Sequence, residues 1–145
     1  MKIHPYLNFD GKTEEVFRFY ERALGGKLTE IHRFGAMPQQ DGMTLTPAQQ
    51  NMVMHVGLQL PDGQMIMASD MIAGMGPARV EGNNISISVH PDSKPDADRI
   101  FNALAEGGTV TMPIADQFWG DYFGSLTDRF GINWMVNHTP QSRQQ

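Results

Sequence analysis

The chain lacks cysteine, long hydrophobic runs and clusters of basic residues, and each absence excludes a class of protein. With no cysteine among its 145 residues, it cannot hold a disulfide scaffold, a cysteine nucleophile or a thiolate metal site. No apolar run approaches the roughly 20 residues of a membrane span, and Met1–Pro5 lacks the apolar region of a secretory signal. A net charge of −5 argues against nucleic acid and anionic membranes as partners. We therefore expect a cytoplasmic protein with no nucleic-acid or membrane partner.

What the sequence does contain is the same structural pattern twice. Residues His4–Leu28 predict a strand, an amphipathic helix, a glycine pair and a second strand, which extends through Lys27–Phe34. Residues Asn84–Val110 predict the same order, and two more strand-like runs follow each unit. We predict an α+β fold in which two βαβββ modules form a curved mixed sheet. The helices would cover its convex face and a ligand cup would lie on its concave face.

Composition sets the boundaries within this single domain. Module one covers residues 1–72, a linker rich in glycine covers 73–82, and module two covers 83–138, followed by a polar tail at 139–145. Within module one, Gly35–Asn51 is irregular, and a loop of this length is typically functional or mobile. We expect it to form a lid over the cup or a dimer contact.

The two helices are defined by apolar stripes that repeat at an offset of 81 positions and by the glycine pairs that follow them. Thr13 is predicted to cap the first helix, and Asp92 or Ser93 the second. Gly25-Gly26 and Gly107-Gly108 lie where a helix ends in a conformation that glycine adopts easily. Because a phosphate-binding loop precedes a helix, these pairs are interpreted as helix ends and not as nucleotide loops.

Strand alternation separates an apolar face from a face of mixed chemistry. The helices must cover the apolar face, so the other side chains are left for the cup. They combine aromatic and thioether groups with polar groups and contain almost no Lys or Glu, which is typical of a binding site. The predicted ligand-binding residues are His4, Tyr6, His55, Met67, Asn84, Ser86, Trp119, Asp121, Phe123 and Met135. A partner subunit covering this face is the alternative interpretation.

Several motifs resemble those of one superfamily. They are Pro5–Gly11, Phe19-Tyr20 before Leu24-Gly25, His55 in the third strand, Met67–Asp70, Phe118–Ser125, Asp128–Gly131 and Trp134. In order and spacing they resemble the PhnB-like branch of the vicinal oxygen chelate superfamily, which includes glyoxalase I, extradiol dioxygenases and bleomycin-resistance proteins. The resemblance spans nearly the whole chain and, with the open sheet edges of such modules, implies a homodimer. The chain differs from this branch at Tyr122, where a basic residue is expected more often.

The resemblance also implies where a metal would bind. Metal-dependent members hold a divalent ion with His and Glu from equivalent strands of the two modules. The matching positions here are His4, Asn84, Met135 and one near Met67. An amide and a thioether are poor ligands for such ions, and a usable site needs three protein ligands. We therefore predict no metal and no cofactor, while His4, His55 and Asp121 form an alternative ligand set if their strands converge.

We predict that the protein binds a small organic molecule in the cup without a metal. The expected contacts are aromatic walls from Trp119 and Phe123 and polar contacts from His4, His55, Asn84 and Asp121. No catalytic residue is predicted, because a histidine pair can orient a ligand as readily as it transfers protons. Two alternatives stay open: a metal-dependent lyase or dioxygenase of the glyoxalase type, and a resistance protein that sequesters a drug.

Overall fold

The computed structural model describes residues 1–38 and 44–141, which divide into two compact units, Met1–Val80 and Glu81–Gln145. Unit one has the order β1 (Tyr6–Phe9), α1 (Thr13–Leu24), β2 (Lys27–Leu28), β3 (His32–Arg33), α2 (Pro47–Asn51), β4 (Val53–Gln59) and β5 (Met65–Asp70). Unit two has the order β6 (Ile87–Val89), α3 (Lys94–Ala105), β7 (Thr109–Asp116), β8 (Tyr122–Thr127) and β9 (Asn133–His138). The predicted α+β fold with a repeated βαβββ order is confirmed, and the single strand predicted at Lys27–Phe34 is divided into β2 and β3.

Each unit forms one mixed sheet, and the strands within the two sheets pair in the same register. The order is β1-β5-β4-β2 in unit one, where β3 also pairs with β4, and β6-β9-β8-β7 in unit two. The first strand of each unit runs parallel to the last, and the remaining pairs are antiparallel. Leu58 lies opposite Ile66 in unit one, and Leu126 lies opposite Trp134 in unit two, 68 positions later in both strands. The sequence repeat is therefore a repeat of strand pairing as well.

One helix covers one face of each sheet, as the apolar stripes predict. α1 and α3 are both 12 residues long, and Lys94 begins α3 at 81 positions after Thr13 begins α1. The buried side chains of α1 pack on β4 and β5, and those of α3 pack on β8 and β9. The fully buried side chains include Phe17, Tyr20, Val56, Leu58, Leu104, Leu126, Trp134 and Val136. Each buried side chain of this size stabilises the fold by about 1.5–3 kcal/mol, so the helix-covered faces form the cores.

The start of α1 differs from the prediction. Lys12 is the N-cap residue and makes no side-chain cap, while Thr13 is already helical. The buried carboxylate of Asp70, at the end of β5, accepts hydrogen bonds from the Thr13 N–H and hydroxyl instead. The sequence pattern could not show this, because 57 residues separate the two partners. In α3 the prediction is confirmed, since the Ser93 hydroxyl accepts from the Asp96 N–H.

The glycine pairs end the helices. Gly25, Gly26 and Gly107 have φ values of 80°, 86° and 75°, which L side chains rarely adopt. A Cβ on Gly26 would also overlap the carbonyl oxygen of Gln59 on β4, and one on Gly108 would overlap that of Thr127 on β8. Helix termination and close passage of the chain past a strand therefore require glycine at the same place in both units.

Three strands are shorter than the ranges that side-chain alternation predicts, which are Ile3–Phe9, Asn84–Val89 and Phe118–Thr127. β1 begins at Tyr6, β6 at Ile87 and β8 at Tyr122. Ahead of β8, the Gln117 N–H bonds to the Asp121 carbonyl and the Gly120 N–H bonds back to Gln117, so this stretch is a turn. Part of the irregular Gly35–Asn51 segment, residues 39–43, lies outside the described residues, as do residues 142–145 of the tail. Among the residues that are described, no helix has the length and apolar character that a membrane crossing requires.

Candidate functional site

The face of the unit-one sheet opposite α1 carries the first group of candidate residues. Met67 in the middle of β5 lies between Tyr6 on β1 and Gly57 on β4. Directly paired residues share a face, and every second residue of a strand stays on it. Apart from Val53, which is buried, the residues of these three strands on the open face are Tyr6, Asn8, His55, Gly57, Gln59, Met65, Met67 and Ser69. This group contains no carboxylate, ammonium or guanidinium group, and a cation that shares the face, Lys27 on the edge strand β2, lies opposite Gln59. The part of the face around Met67 therefore suits an uncharged ligand.

Tyr6 and His55 are in contact at the centre of this face. The Tyr6 hydroxyl lies 3.4 Å from Nδ1 of His55, and the ring centroids are 5.9 Å apart with the planes 31° from parallel. Tyr6 is 45 % exposed and His55 is half-buried, so both rings are accessible from the open side. Either ring nitrogen of histidine can donate or accept, depending on the tautomer. The pair therefore offers a ligand an aromatic surface with a polar edge, next to the thioether of Met67.

His32 is a residue of this face that the sequence analysis missed. It lies directly opposite His55 in the β3–β4 pairing, and it is exposed. Cross-strand partners hold their Cβ atoms about 5 Å apart, so two imidazoles occupy one row of the face. His32 falls within the predicted strand Lys27–Phe34, but nothing local indicates which residue lies across from it.

The open face of the unit-two sheet carries the second group. Met135 on β9 lies between Ser88 on β6 and Ser125 on β8, and Phe123 lies opposite Asn137. The hydroxyl of Ser125 is 2.7 Å from that of Thr111 on β7. Trp134 and Val136, which alternate with Met135, are buried beneath α3. The predicted parity is confirmed for β9, and this face also combines apolar groups with hydroxyl and amide groups.

Three aromatic rings meet at the start of β8. The centroids of Trp119 and Phe123 are 6.0 Å apart, and those of Phe118 and Trp119 are 5.0 Å apart with perpendicular planes. Trp119 lies in the turn before β8 and is 40 % exposed, while Phe118 is 98 % exposed. Edge-to-face contacts of this kind stabilise the arrangement by about 0.5–1.5 kcal/mol each. Trp119 and Phe123, which the sequence predicts as walls of a ligand site, are therefore in ring contact, and Phe118 extends this aromatic group into solvent.

Asp121 is the one carboxylate among the predicted ligand-binding residues. It immediately precedes β8, it is half-buried, and its Oδ2 accepts a hydrogen bond of 3.2 Å from the Asn137 side-chain amide. This bond holds the carboxylate beside the open face of the unit-two sheet.

The remaining predicted residues lie outside the strands. His4 precedes β1 and is half-buried, whereas Asn84 and Ser86 precede β6 and are exposed. The structure therefore groups Tyr6, His55 and Met67 in unit one, and Trp119, Asp121, Phe123 and Met135 in unit two. The first group shares one patch through direct pairing and ring contact.

In each unit, a hydrogen bond to a carboxylate joins a strand to the helix that covers the sheet. The Arg33 guanidinium donates to Glu14 on α1 at 2.8 Å, and this bond lowers the pKa of the Glu14 carboxyl. The Tyr122 hydroxyl donates to Asp98 on α3, and this hydrogen bond raises the pKa of Tyr122. Tyr122 stands where the resemblance implies a basic residue more often, and it binds an acid on the neighbouring helix.

The donor set does not fit the metal site of the superfamily. Of the four positions named by the resemblance, His4 is an imidazole, while Asn84 and Met135 supply an amide and a thioether, which are poor ligands for hard or borderline ions; the fourth lies near Met67. Across residues 1–38 and 44–141, no three His, Cys, Asp or Glu side chains are grouped closely enough to hold an ion. The cross-strand pair of His32 and His55 supplies two imidazoles and no third protein ligand of these types.

Comparisons with known proteins agree with this fold. A family model described as 3-demethylubiquinone-9 3-methyltransferase matches residues 1–137. Protein PA1353 from Pseudomonas aeruginosa is 40 % identical with a TM-score of 0.80, over 96 % of this chain and 98 % of that one. The PhnB protein from Bacillus cereus is 26 % identical with a TM-score of 0.73, over 96 % and 100 %. A glyoxalase/bleomycin resistance protein/dioxygenase family enzyme from Burkholderia phytofirmans shares the fold, with 14 % identity and a TM-score of 0.65 over 94 % and 97 %.

Proposed function

This chain belongs to the 3-demethylubiquinone-9 3-methyltransferase family, a PhnB-like family with the glyoxalase/bleomycin resistance/dioxygenase fold, and on that basis we propose that it binds a small organic molecule without a metal. The observation that carries the proposal is the contact of Tyr6 with His55 beside Met67. It supports an uncharged aromatic ligand that lies on the tyrosine and thioether surface and hydrogen-bonds at its edge.

The chemistry of this patch favours such a ligand. Tyrosine rings and thioethers bind flat apolar surfaces, and the thioether adapts to different shapes. His55 and the Tyr6 hydroxyl supply the few directional hydrogen bonds that a mostly apolar site uses for orientation. A charged ligand would find no counter-charge among the open-face residues of β1, β4 and β5.

The family description names a methyl transfer to 3-demethylubiquinone, and the reduced form of such a quinone is a hydroxylated aromatic ring, which suits the same patch. Its hydroxyl groups would meet His55, and its face would meet Tyr6. Methyl transfer also needs a methyl donor, and no residue pattern here supports one. We propose the binding step alone.

A pair of probes tests this proposal. Methoxyhydroquinone has two hydroxyl donors, and 1,2,4-trimethoxybenzene has the same ring with none. We expect methoxyhydroquinone to raise the melting temperature progressively with concentration, as RT ln(1 + [L]/Kd) requires, and to bind about fivefold more tightly than the trimethoxy probe, the worth of one hydrogen bond. Equal binding of both probes, or binding of neither, would contradict the proposal.

Variants localise the binding. His55→Ala should remove the preference between the two probes, whereas Met67→Ala should weaken both by about fivefold through lost apolar contact. Met75→Ala is the matched control, because Met75 is 43 % exposed in a segment with no assigned strand. If Met75→Ala weakened binding as much as Met67→Ala, the open face would not be the binding surface.

The metal-dependent lyase or dioxygenase is tested by elemental analysis of purified protein. We expect no Fe, Mn, Ni or Zn that is stoichiometric with the chain and dependent on His4 or His55. A stoichiometric ion removed by His55→Ala would replace our proposal with the metal-dependent alternative.

We also propose a homodimer, in which a second copy covers Phe118. This ring is 98 % exposed, and its contact with Trp119 presents an apolar edge to solvent. Strand-to-strand pairing through the edge strand β7 is disfavoured, since β7 contains Pro113 and two register shifts. Sedimentation equilibrium should show a dimer that Phe118→Ser weakens and that Met75→Ser leaves intact. A monomeric wild-type protein would refute this proposal.

A further inference from the structure

The two units carry side chains of different chemistry at the last residue of the last strand. Tyr6 opposite Met67 in unit one matches Ser88 opposite Met135 in unit two, so β5 and β9 correspond at an offset of 68 positions. By this correspondence His138 takes the place of Asp70. The helices correspond at their own offset, so the first helical residue is Thr13 in unit one and Lys94 in unit two.

In unit one a carboxylate fills this corner. Oδ1 of Asp70 accepts the Thr13 N–H at 3.1 Å and the Thr13 hydroxyl at 2.7 Å, and Oδ2 accepts the Val53 N–H at 2.9 Å. Asp70 is 4 % exposed, so the corner is closed to solvent. The first N–H of α1 is thereby satisfied by a negatively charged group, which the positive end of the helix dipole favours.

In unit two the corresponding side chain turns to a different partner. Nδ1 of His138 lies 2.9 Å from the carbonyl oxygen of Pro91. Since a carbonyl only accepts, Nδ1 carries a hydrogen and Nε2 is the free nitrogen. Within the described part of the chain, neither Nε2 of His138 nor the N–H of Lys94 makes a hydrogen bond. The first N–H of α3 is thus without the carboxylate that its counterpart in α1 has.

A pocket of about 440 Å³ lies at this corner, lined by Asp92, Ser93, Lys94, His138 and Gln141. His138 is 92 % buried, and every fully buried side-chain nitrogen and oxygen of the described residues has a partner. The unbonded Nε2 must therefore reach solvent, and the pocket provides the access. Its volume is within the range of small-molecule sites.

We propose that this pocket binds the carboxylate group of a small molecule, in the position that the Asp70 carboxylate has in unit one. One carboxylate oxygen accepts the Lys94 N–H at the start of α3. The other accepts from Nε2 of His138 in its protonated form, because Nδ1 already donates to Pro91. This site lies on the helix-covered side of unit two and is separate from the open face of its sheet.

The charges around the pocket set its affinity. Lys94 pairs with Asp116 on β7 at 2.7 Å and lies over the Tyr122 ring, which weakens its attraction for an anion. The other charged and titratable groups nearby are paired: Asp98 with Tyr122, Asp96 with Arg99, and His90 with Ser88. Asp92 lines the pocket and makes no ion pair within the described residues, so it opposes a bound carboxylate. We therefore expect weak binding, with a Kd on the order of millimolar.

Acetate is the probe that tests the site. In an NMR titration at constant ionic strength, acetate should shift the Lys94 amide and the His138 ring resonances with saturation, whereas chloride should not. Acetate should also bind more tightly as the pH falls, since the carboxylate binds a protonated imidazole more tightly than a neutral one. Shifts that grow linearly, or that chloride reproduces, would overturn the proposal. Tighter saturation of the same resonances by phosphate would overturn the assignment to a carboxylate.

Two variants should act in opposite directions. His138→Asp places a carboxylate in the pocket, as in unit one, and should weaken acetate binding by about tenfold or more, the worth of one charged hydrogen bond. Asp92→Asn removes the opposing charge and should strengthen binding about threefold. His90→Gln is the control, because it removes an exposed imidazole that does not line the pocket.

His138→Gln repeats the first test without introducing a charge, should His138→Asp fold poorly. It should weaken acetate binding severalfold and abolish the pH dependence of binding. Full acetate affinity in His138→Asp or His138→Gln, or weaker binding in Asp92→Asn, would refute the site.

Discussion

The carboxylate of Asp70 offers the most quantitative test of how unit one is held together. It joins three elements, since it lies at the end of β5 and binds Thr13 in α1 and Val53 in β4. Asp70→Ala would leave two backbone N–H groups and one hydroxyl without an acceptor in a buried corner. Each unsatisfied buried group costs about 1–3 kcal/mol, so for these three groups together we expect a loss of about 3–9 kcal/mol. That is a large part of the 5–15 kcal/mol typical of a whole protein.

Asp70→Asn separates the effect of charge and geometry from that of volume. The amide keeps one acceptor oxygen for Thr13 but turns an NH₂ group toward the Val53 N–H, so one bond is lost and two donors face each other. We expect a loss of about 2 kcal/mol, between the effect of alanine and none. Asp10→Ala is the control, because it removes the same charge from an exposed residue that lies close in sequence to Thr13.

Urea unfolding followed by far-ultraviolet circular dichroism measures these losses, with the m-value checked for constancy. Amide exchange at Thr13 and Val53 gives a local measure, and both amides should exchange faster in the Asp70 variants. A loss below 1 kcal/mol in Asp70→Ala, or one no larger than that of Asp10→Ala, would refute our account of this corner.

Two further predictions concern unit two. The hydrogen bond to Asp98 raises the pKa of Tyr122, so the folded state holds this proton to higher pH than the unfolded state. The resulting stability is present below the ordinary tyrosine pKa of about 10 and is lost as the pH rises through the pKa of the folded state. Absorbance at 295 nm should show a late tyrosine ionisation that Tyr122→Phe removes and Asp98→Asn moves to lower pH, and an unchanged titration in both variants would contradict the assignment. Gly124→Ala should destabilise the protein by about 1–3 kcal/mol, because a Cβ there would lie 2.8 Å from both Ile114 Cα and Phe101 Cε2. Urea unfolding measures this loss of stability, and a neutral effect would mean that β8 is not packed this closely under α3.

The local part of the fold could be predicted because it depends on neighbours in sequence. Helical spacing of apolar residues identified α1 and α3 with their offset of 81, and two-residue alternation placed Met67 and Met135 on the faces opposite the helices. Strand ends were predicted less well. The chain turns at Gln117–Gly120 through two backbone hydrogen bonds, which the alternation of side chains does not reveal.

Contacts between distant residues were beyond the sequence pattern. Nothing near Thr13 indicates that Asp70 binds it, and nothing near His32 indicates that it lies across from His55. These contacts depend on strand register, and the register is determined by many weak side-chain interactions across a whole sheet. Three points stay predictions: the ligand-binding role of the ten predicted residues, the module boundaries drawn from composition, and the homodimer.

The amino-acid order alone determined the doubled architecture, because side-chain periodicity and glycine conformation act within a few residues of each position. Only the tertiary structure decided what the two copies do differently: one ends its last strand with a carboxylate that closes the corner, and the other with an imidazole that leaves it open. The reason is that a hydrogen bond depends on where its two partners lie in space, and strand pairing brings together partners that the chain separates by dozens of residues.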